Sequence, residues 1–133
     1  MTVFVDTGYF LALMMPQDQW HRAAVKLAAE PAALVTSSQV IGETISLLQI
    51  RGYFSLALEF LGNATADPDL RIVCPDASLQ ALAWDEFRKS GGFGASAVDC
   101  LSFAIMRKSH ITRAYTFDRH FAAAGFVTAT GAG

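Results

Sequence analysis

Four acidic residues, Asp6, Glu43, Asp99 and Asp118, occupy positions where a carboxylate could do chemistry. Asp6 ends the short β-branched and aromatic run Thr2-Val3-Phe4-Val5, and Asp118 follows a second such run, Arg113-Ala114-Tyr115-Thr116-Phe117. Asp99 interrupts residues 97–106, which are otherwise almost wholly apolar. Glu43 lies three residues after Val40 and four before Leu47, so it shares their helical face. Each acid also has an ordinary explanation. Asp6 can form an Asx turn or cap a helix, and Asp118 can cap the segment Arg119-His120-Phe121. Asp99 fits a capping box with Ser96, and Glu43 fits a solvated helix edge. Taken together, four carboxylates converging on one pocket would raise one another's pKa values. A divalent cation removes that conflict. An all-oxygen donor set without Cys or paired His suits Mg²⁺ or Mn²⁺ rather than structural zinc.

The positioning elements follow from the hydrophobic pattern. Residues 2–5, 33–36, 70–73, 113–117 and 126–128 are short runs that read as strands, the first of them as a fully buried, central parallel one. Between them lie helical patterns. One runs through Tyr9 to Leu13 and ends before Pro16; the next is capped by Asp18 and ends before Pro31. A third starts at Ser37-Ser38 with Val40, Ile41, Thr44, Leu47 and Leu48 as its stripe. A fourth covers residues 53–61, with residues 63–68 as loop. A fifth opens at Pro75-Asp76, a flexible loop covers residues 90–94, and a strongly apolar helix spans residues 96–106.

Strands alternating with helices predict an α/β fold: a three-layer α/β/α sandwich around a central, mostly parallel sheet of four to five strands. In such sheets ligands collect beyond the carboxyl ends of the strands. Asp6 and Asp118 sit there directly, and helices that begin at that edge bring Glu43 and Asp99 to it.

The chain has 133 residues, enough for one domain over residues 1–128, with residues 129–133 expected to fray as a tail. Hydrophobic residues make up 53% and charged residues 17%, so the surface must carry apolar area, which favours a partner or an oligomer. A net charge of −2 argues against a general nucleic-acid coat protein but not against an enzyme that grips a short stretch of RNA. Cys74 and Cys100 lack ligand spacing and read as buried free thiols. Neither a signal peptide nor an apolar run of membrane-spanning length is visible, so a cytoplasmic protein without membrane contact is expected.

Four segments carry a resemblance to a known family. They are Val5-Asp6-Thr7-Gly8; Ile41-Gly42-Glu43-Thr44; residues 97–106; and Thr116-Phe117-Asp118-Arg119-His120-Phe121 with Gly125-Phe126 behind it. In order and spacing the chain resembles the PIN-domain family, and most closely its VapC-like toxins. The resemblance implies a Mg²⁺- or Mn²⁺-dependent endoribonuclease, blocked by a cognate antitoxin protein. It carries the four acidic positions onto Asp6, Glu43, Asp99 and Asp118, and supporting hydroxyls onto Thr7 and Thr116. Asp6 and Asp99 would bind the main ion. Glu43 and Asp118 would hold a second ion, directly or through water, or orient the water that attacks phosphorus in line. The glycine-rich residues 91–94 depart from the polar loop common in relatives.

Grip on RNA would come from Arg119, Arg107, Lys108 or Arg113, although ordinary solubilising surface charge is the favoured reading of each. His21, His110 and His120 show no ligand spacing. The helix over residues 53–61 is apolar enough to pack in the core, to receive an antitoxin helix or to form a homodimer face. The rival function is a non-catalytic PIN-like scaffold or protein-binding module, and loss of acidic positions would mark it. A receiver-like phosphorylation domain would need a lysine after the fifth strand, and none follows Phe126.

Overall fold

The structure, a computed structural model, describes residues 1–129. Its elements are β1 (Thr2–Val5), α1 (Thr7–Met14), α2 (His21–Ala28), β2 (Ala33–Ser37), α3 (Ser38–Ile50), α4 (Phe54–Ala66), β3 (Leu70–Val73), α5 (Ala77–Ser90), a 3-10 turn (Gly91–Phe93), α6 (Ala97–Lys108), β4 (Arg113–Tyr115), α7 (Arg119–Ala123) and β5 (Val127–Ala129).

All five strands are parallel, in the order β3-β2-β1-β4-β5. From β1 the chain winds outward to β2 and β3, then crosses back through α5 and α6 to β4 and winds outward to β5. The direction of winding therefore reverses between β1 and β4. A cleft opens at such a switch point, beyond the carboxyl ends of the two strands.

Helices cover both faces of the sheet. Val3, Phe4 and Val5 have no exposed surface, which only a strand covered on both sides can achieve. Phe4 stacks on Phe121 of α7, which meets Phe103 of α6 edge-on. Tyr115 of β4 packs on Tyr9 of α1, and Phe10 of α1 meets Phe60 of α4. The expected α/β/α sandwich is the observed one. Among the described residues no helix is long and apolar enough to cross a membrane.

Several local expectations need correction. Asp18 does not cap α2; its carboxylate accepts the Trp20 N–H at 2.8 Å in a turn, and the helix starts at His21. Helix α4 runs on to Ala66 through residues expected to be loop. Ala64 is buried there, and the Thr65 hydroxyl donates back to the Leu61 carbonyl at 2.8 Å. The loop at residues 91–94 is ordered as a 3-10 turn closed by the Gly94 N–H on the Gly91 carbonyl. Gly94 has φ +102°, a backbone that favours glycine. Cys100 is buried as expected, but Cys74 is exposed. Ala129 closes β5 rather than starting the tail; the rest of that expected tail, 130–133, lies outside the described residues.

Candidate active site

Asp6, Glu43, Asp99 and Asp118 all line one open cleft of about 490 Å³ beyond the carboxyl ends of β1 and β4. Asp6 follows β1 and extends its ladder, donating its N–H to the Tyr115 carbonyl at 3.1 Å. It occupies the cap position of α1, yet its side chain makes no cap bond. Instead its Oδ2 accepts the Thr116 hydroxyl at 3.0 Å. The plain reading of Asp6 as a helix cap therefore fails. Its carboxylate is buried and directed at the cleft. The same Thr116 oxygen accepts the Asp118 N–H at 3.0 Å, so one hydroxyl holds the two strand-end acids in register.

For Asp99 and Asp118 the capping reading holds, and both residues also line the cleft. Asp99 and Ser96 form the full capping box: the Ser96 hydroxyl accepts the Asp99 N–H at 3.0 Å, and Asp99 Oδ2 accepts the Ser96 N–H at 2.9 Å. That bond uses one carboxylate oxygen and leaves the other without an assigned bond in the cleft. Asp118 caps α7 by accepting the His120 N–H at 2.8 Å on Oδ1. Helix N-termini favour such negative charge, so these caps fix carboxylates without neutralising them. Glu43 lies half-buried on the α3 wall of the cleft, beside Leu47.

The electrostatics match a site that is missing positive charge. The Asp6 pKa is pushed up to about 7, first by burial and then by the Asp99 charge. The Thr7 amide and Thr116 hydroxyl oppose the shift, and Asp118 adds to it. Burial also raises Asp99; the Ser96 amide opposes that shift, and Asp118 adds to it. The cleft lining holds five carboxylates, Asp6, Asp18, Glu43, Asp99 and Asp118, against one guanidinium, Arg51. A bound divalent cation would supply what the side chains lack.

Asp99, Asp118 and His120 each offer a ligand atom within 4.8 Å of the others. His120, expected to be a surface or packing residue, adds a nitrogen to what had been an all-oxygen set. Its Nδ1 lies 2.6 Å from Asp118 Oδ1, although the angle does not make a hydrogen bond, and both ring nitrogens are buried without one. A Cβ on Gly94 would come within 3.0 Å of Nε2, so the glycine-rich turn leaves this ring its room. The available sequence signal was the two-residue step from a capping Asp to a His, which folds the ring back onto the carboxylate it follows.

The Thr116 hydroxyl supports Asp6 as described, and Thr7 is buried at the cleft with its hydroxyl unpartnered. The expected RNA-gripping residues separate. Arg119 is exposed beside Asp118. Arg107 is engaged elsewhere: its Nε donates to Glu86 at 2.6 Å, another guanidinium nitrogen donates to the Ala124 carbonyl at 3.0 Å, and the group lies 4.8 Å over the Phe126 ring. Lys108 ends α6 and Arg113 starts β4, at the opposite end of the sheet from the acids. Arg107, Lys108 and Arg113 are therefore corrected away from the site. Sequence reasoning passed over Arg51 and Trp20, which line the cleft.

With the geometry in hand, comparisons with known proteins give the lineage. The PIN domain family matches residues 3–127. The 23S rRNA-specific endonuclease VapC20 of Mycobacterium tuberculosis, in strains CDC 1551 / Oshkosh and ATCC 25618 / H37Rv, is 37% identical over 126 residues, covering 94% of this chain and 95% of the relative. The crystal structure of that organism's VapC20, described as a sarcin-ricin loop cleaving toxin, superposes with a TM-score of 0.87 at 36% identity, over 94% of this chain and 96% of the other. FitAcB from Neisseria gonorrhoeae shares the fold, with a TM-score of 0.73 at 16% identity over 98% of both chains. The chain belongs to the PIN domain family.

Proposed function

We propose that this protein is a metal-dependent endoribonuclease that hydrolyses RNA phosphodiester bonds and acts as the toxin of a toxin–antitoxin pair in the cytoplasm. The observation that carries the reading is the buried Asp6 carboxylate, its pKa pushed up to about 7 by burial and the Asp99 charge, in one cleft with Asp99 and Asp118. The VapC20 likeness over 94% of the chain supports RNA as the substrate class.

The ion is Mg²⁺ or Mn²⁺. When bound, it neutralises phosphate charge and makes water more acidic. Asp6 and Asp99 are its main holders, and His120 is a candidate donor beside Asp118. Thr116 keeps the Asp6 and Asp118 carboxylates in fixed relation, so no reorganisation is needed when substrate arrives. Thr7 places a second hydroxyl at the same edge. Glu43 and Asp118 accept hydrogen bonds from the attacking water and aim its oxygen at phosphorus. The water oxygen would bond to phosphorus as its proton passes to Glu43 or Asp118, and the bond from phosphorus to the leaving sugar oxygen would break, that oxygen taking up a proton from solvent. Arg51 and Arg119 supply fixed positive charge for flanking phosphates.

Partner surfaces are consistent with the toxin role. Ile50, Tyr53, Phe54 and Leu58 are exposed around the α3–α4 junction, enough apolar area to serve an antitoxin or a second copy of the chain. The test of the enzymatic reading is RNA cleavage by purified protein with Mg²⁺, with Mn²⁺ and with chelator. Cleavage should require the ion and fall by roughly a hundredfold or more in Asp6→Asn and Asp99→Asn. Full activity in both variants would remove the assignment.

A further inference from the structure

One aromatic pair in the cleft has no role in holding the carboxylates. Trp20 and Phe117 stack face to face, 4° from parallel with ring centroids 5.0 Å apart. Both line the cleft with the acids, and Trp20 remains 39% exposed. We infer that the free face of the Trp20 indole is a stacking shelf for one unpaired nucleobase of the RNA, next to the scissile phosphate. This rests on the ribonuclease reading and specifies the form of RNA that the site accepts.

The shelf is built rigidly and in register with the acids. The Trp20 N–H is held by Asp18 at 2.8 Å, and its carbonyl accepts the Ala24 N–H at 2.9 Å. The next residue, His21, holds its Nδ1 at 2.8 Å from the Ala12 carbonyl, tying the start of α2 to α1. On the other side, Phe117 sits between Thr116, which bonds Asp6, and Asp118. The indole is therefore fixed at its root and backed by a ring whose two sequence neighbours both belong to the acid network.

The charge balance explains why such a shelf is needed. A cleft with five carboxylates and one guanidinium grips a polyanion weakly by its phosphates. Stacking on an aromatic face is uncharged, accepts every base and does not compete with the acids for the ion. It also selects. A base can lie on the indole only when it is free of its own helix, so single-stranded segments and loops should be bound, and continuous A-form duplex should not.

Fluorescence tests this directly. The chain has two tryptophans, and the other, Trp84, lies exposed on α5, so Trp84→Phe leaves Trp20 as the lone reporter. Adding Asp99→Asn prevents cleavage during the titration. An unlabelled single-stranded RNA oligonucleotide should quench Trp20 emission. The same oligonucleotide with abasic riboses, and a blunt RNA duplex, should not. Anisotropy of a fluorescein-labelled copy reports binding independently. In the active protein, Trp20→Leu should raise KM by roughly ten- to a hundredfold with a smaller change in kcat, and Trp20→Phe should recover most of it. A purely structural indole would shift Tm in both variants and leave KM alone. RNA bound by anisotropy with no quenching, or an unmoved KM in folded Trp20→Leu, overturns the shelf while leaving the nuclease intact. Wild-type protein that cleaves no RNA with either ion overturns the nuclease reading and the shelf with it. If Trp20→Leu fails to fold, the quenching experiment decides alone, since it uses the native indole.

Discussion

At the carboxyl end of the sheet, Asp6 and Asp118 follow β1 and β4 and meet Asp99 across a cleft. At the amino end, Thr2 and Arg113 begin the same two strands and line another cleft with Arg71 and His110. The first end is acidic and the second basic, but charge is the lesser difference. The acids are short side chains rooted at strand ends and helix caps, and bonds of 2.8 to 3.0 Å fix Asp6, Asp99 and Asp118. At the amino end the basic side chains are long or exposed; Arg71 and His110 lie in solvent, and the Arg113 Nε is buried without a hydrogen bond. The short acids rooted at strand ends and helix caps are instead held by hydrogen bonds to their neighbours. One end of this sheet therefore presents carboxylates in fixed positions, as the proposed function requires, while the other presents exposed side chains.

The largest expected effect is loss of catalysis at the ordered end. Asp99→Asn keeps an oxygen for the capping box and removes the charge, so RNA cleavage should fall by roughly a hundred- to a thousandfold with the fold intact by circular dichroism. Arg113→Gln at the other end should leave the rate unchanged. Equal losses would abolish the distinction between the ends.

A second effect appears without metal. The Asp6 pKa is about 7 in the folded chain and near 4 when unfolded, so the folded state binds more protons between those values. Stability is therefore lost as pH rises from about 4 to 7, by up to about 4 kcal/mol before coupling to Asp99 is discounted. In chelator, the Tm of wild-type protein should fall over this window relative to Asp6→Asn, and Mn²⁺ should restore it at neutral pH. Parallel Tm curves for the two proteins would show that Asp6 is not strained by its surroundings.

The sequence exposes the backbone plan of this molecule better than its side-chain geometry. Short aliphatic runs punctuated by helical periodicity mark all five strands, although only the inner ones are deeply buried and the edge strands β3 and β5 stay partly exposed. The acids at strand ends are equally visible, because Asp6 and Asp118 break apolar runs. What the one-dimensional pattern does not carry is return geometry. The His120 ring folds back onto Asp118 over two residues, and Trp20 meets Phe117 from 97 positions away, so neither leaves a periodic trace. Arg107 misled for the opposite reason. A cation in the last turn of a helix looks like surface charge, and only packing shows that it is committed to Glu86, Ala124 and Phe126. Capping is also no alternative to a place in the cleft, since the Asp99 cap engages only one carboxylate oxygen.

Thr116→Val probes the ordered end without removing any charge. It deletes the hydroxyl that bonds Asp6 and receives the Asp118 amide, at nearly constant volume. Groups that orient metal ligands are worth about ten- to a hundredfold in affinity or activity, and kcat for RNA cleavage should drop within that range. Unchanged kcat would mean that the acids hold their register without the tether.

The smallest effect is expected at Arg107, where the two ends are compared through stability rather than rate. Arg107→Met keeps an apolar stem over Phe126 but leaves the Glu86 side chain, 10% exposed, without its partner. Breaking a fully buried pair would cost more, but this guanidinium is 47% exposed and solvent screens it, so a loss of about 1–2 kcal/mol is expected. Urea denaturation should show that loss while metal-dependent cleavage stays at the wild-type rate. Glu86→Gln in the same background should recover part of the stability, because it removes the stranded charge. If Arg107→Met instead slows cleavage as much as Thr116→Val does, then this end of the sheet is coupled to the site and the division between an ordered and a diffuse end is wrong.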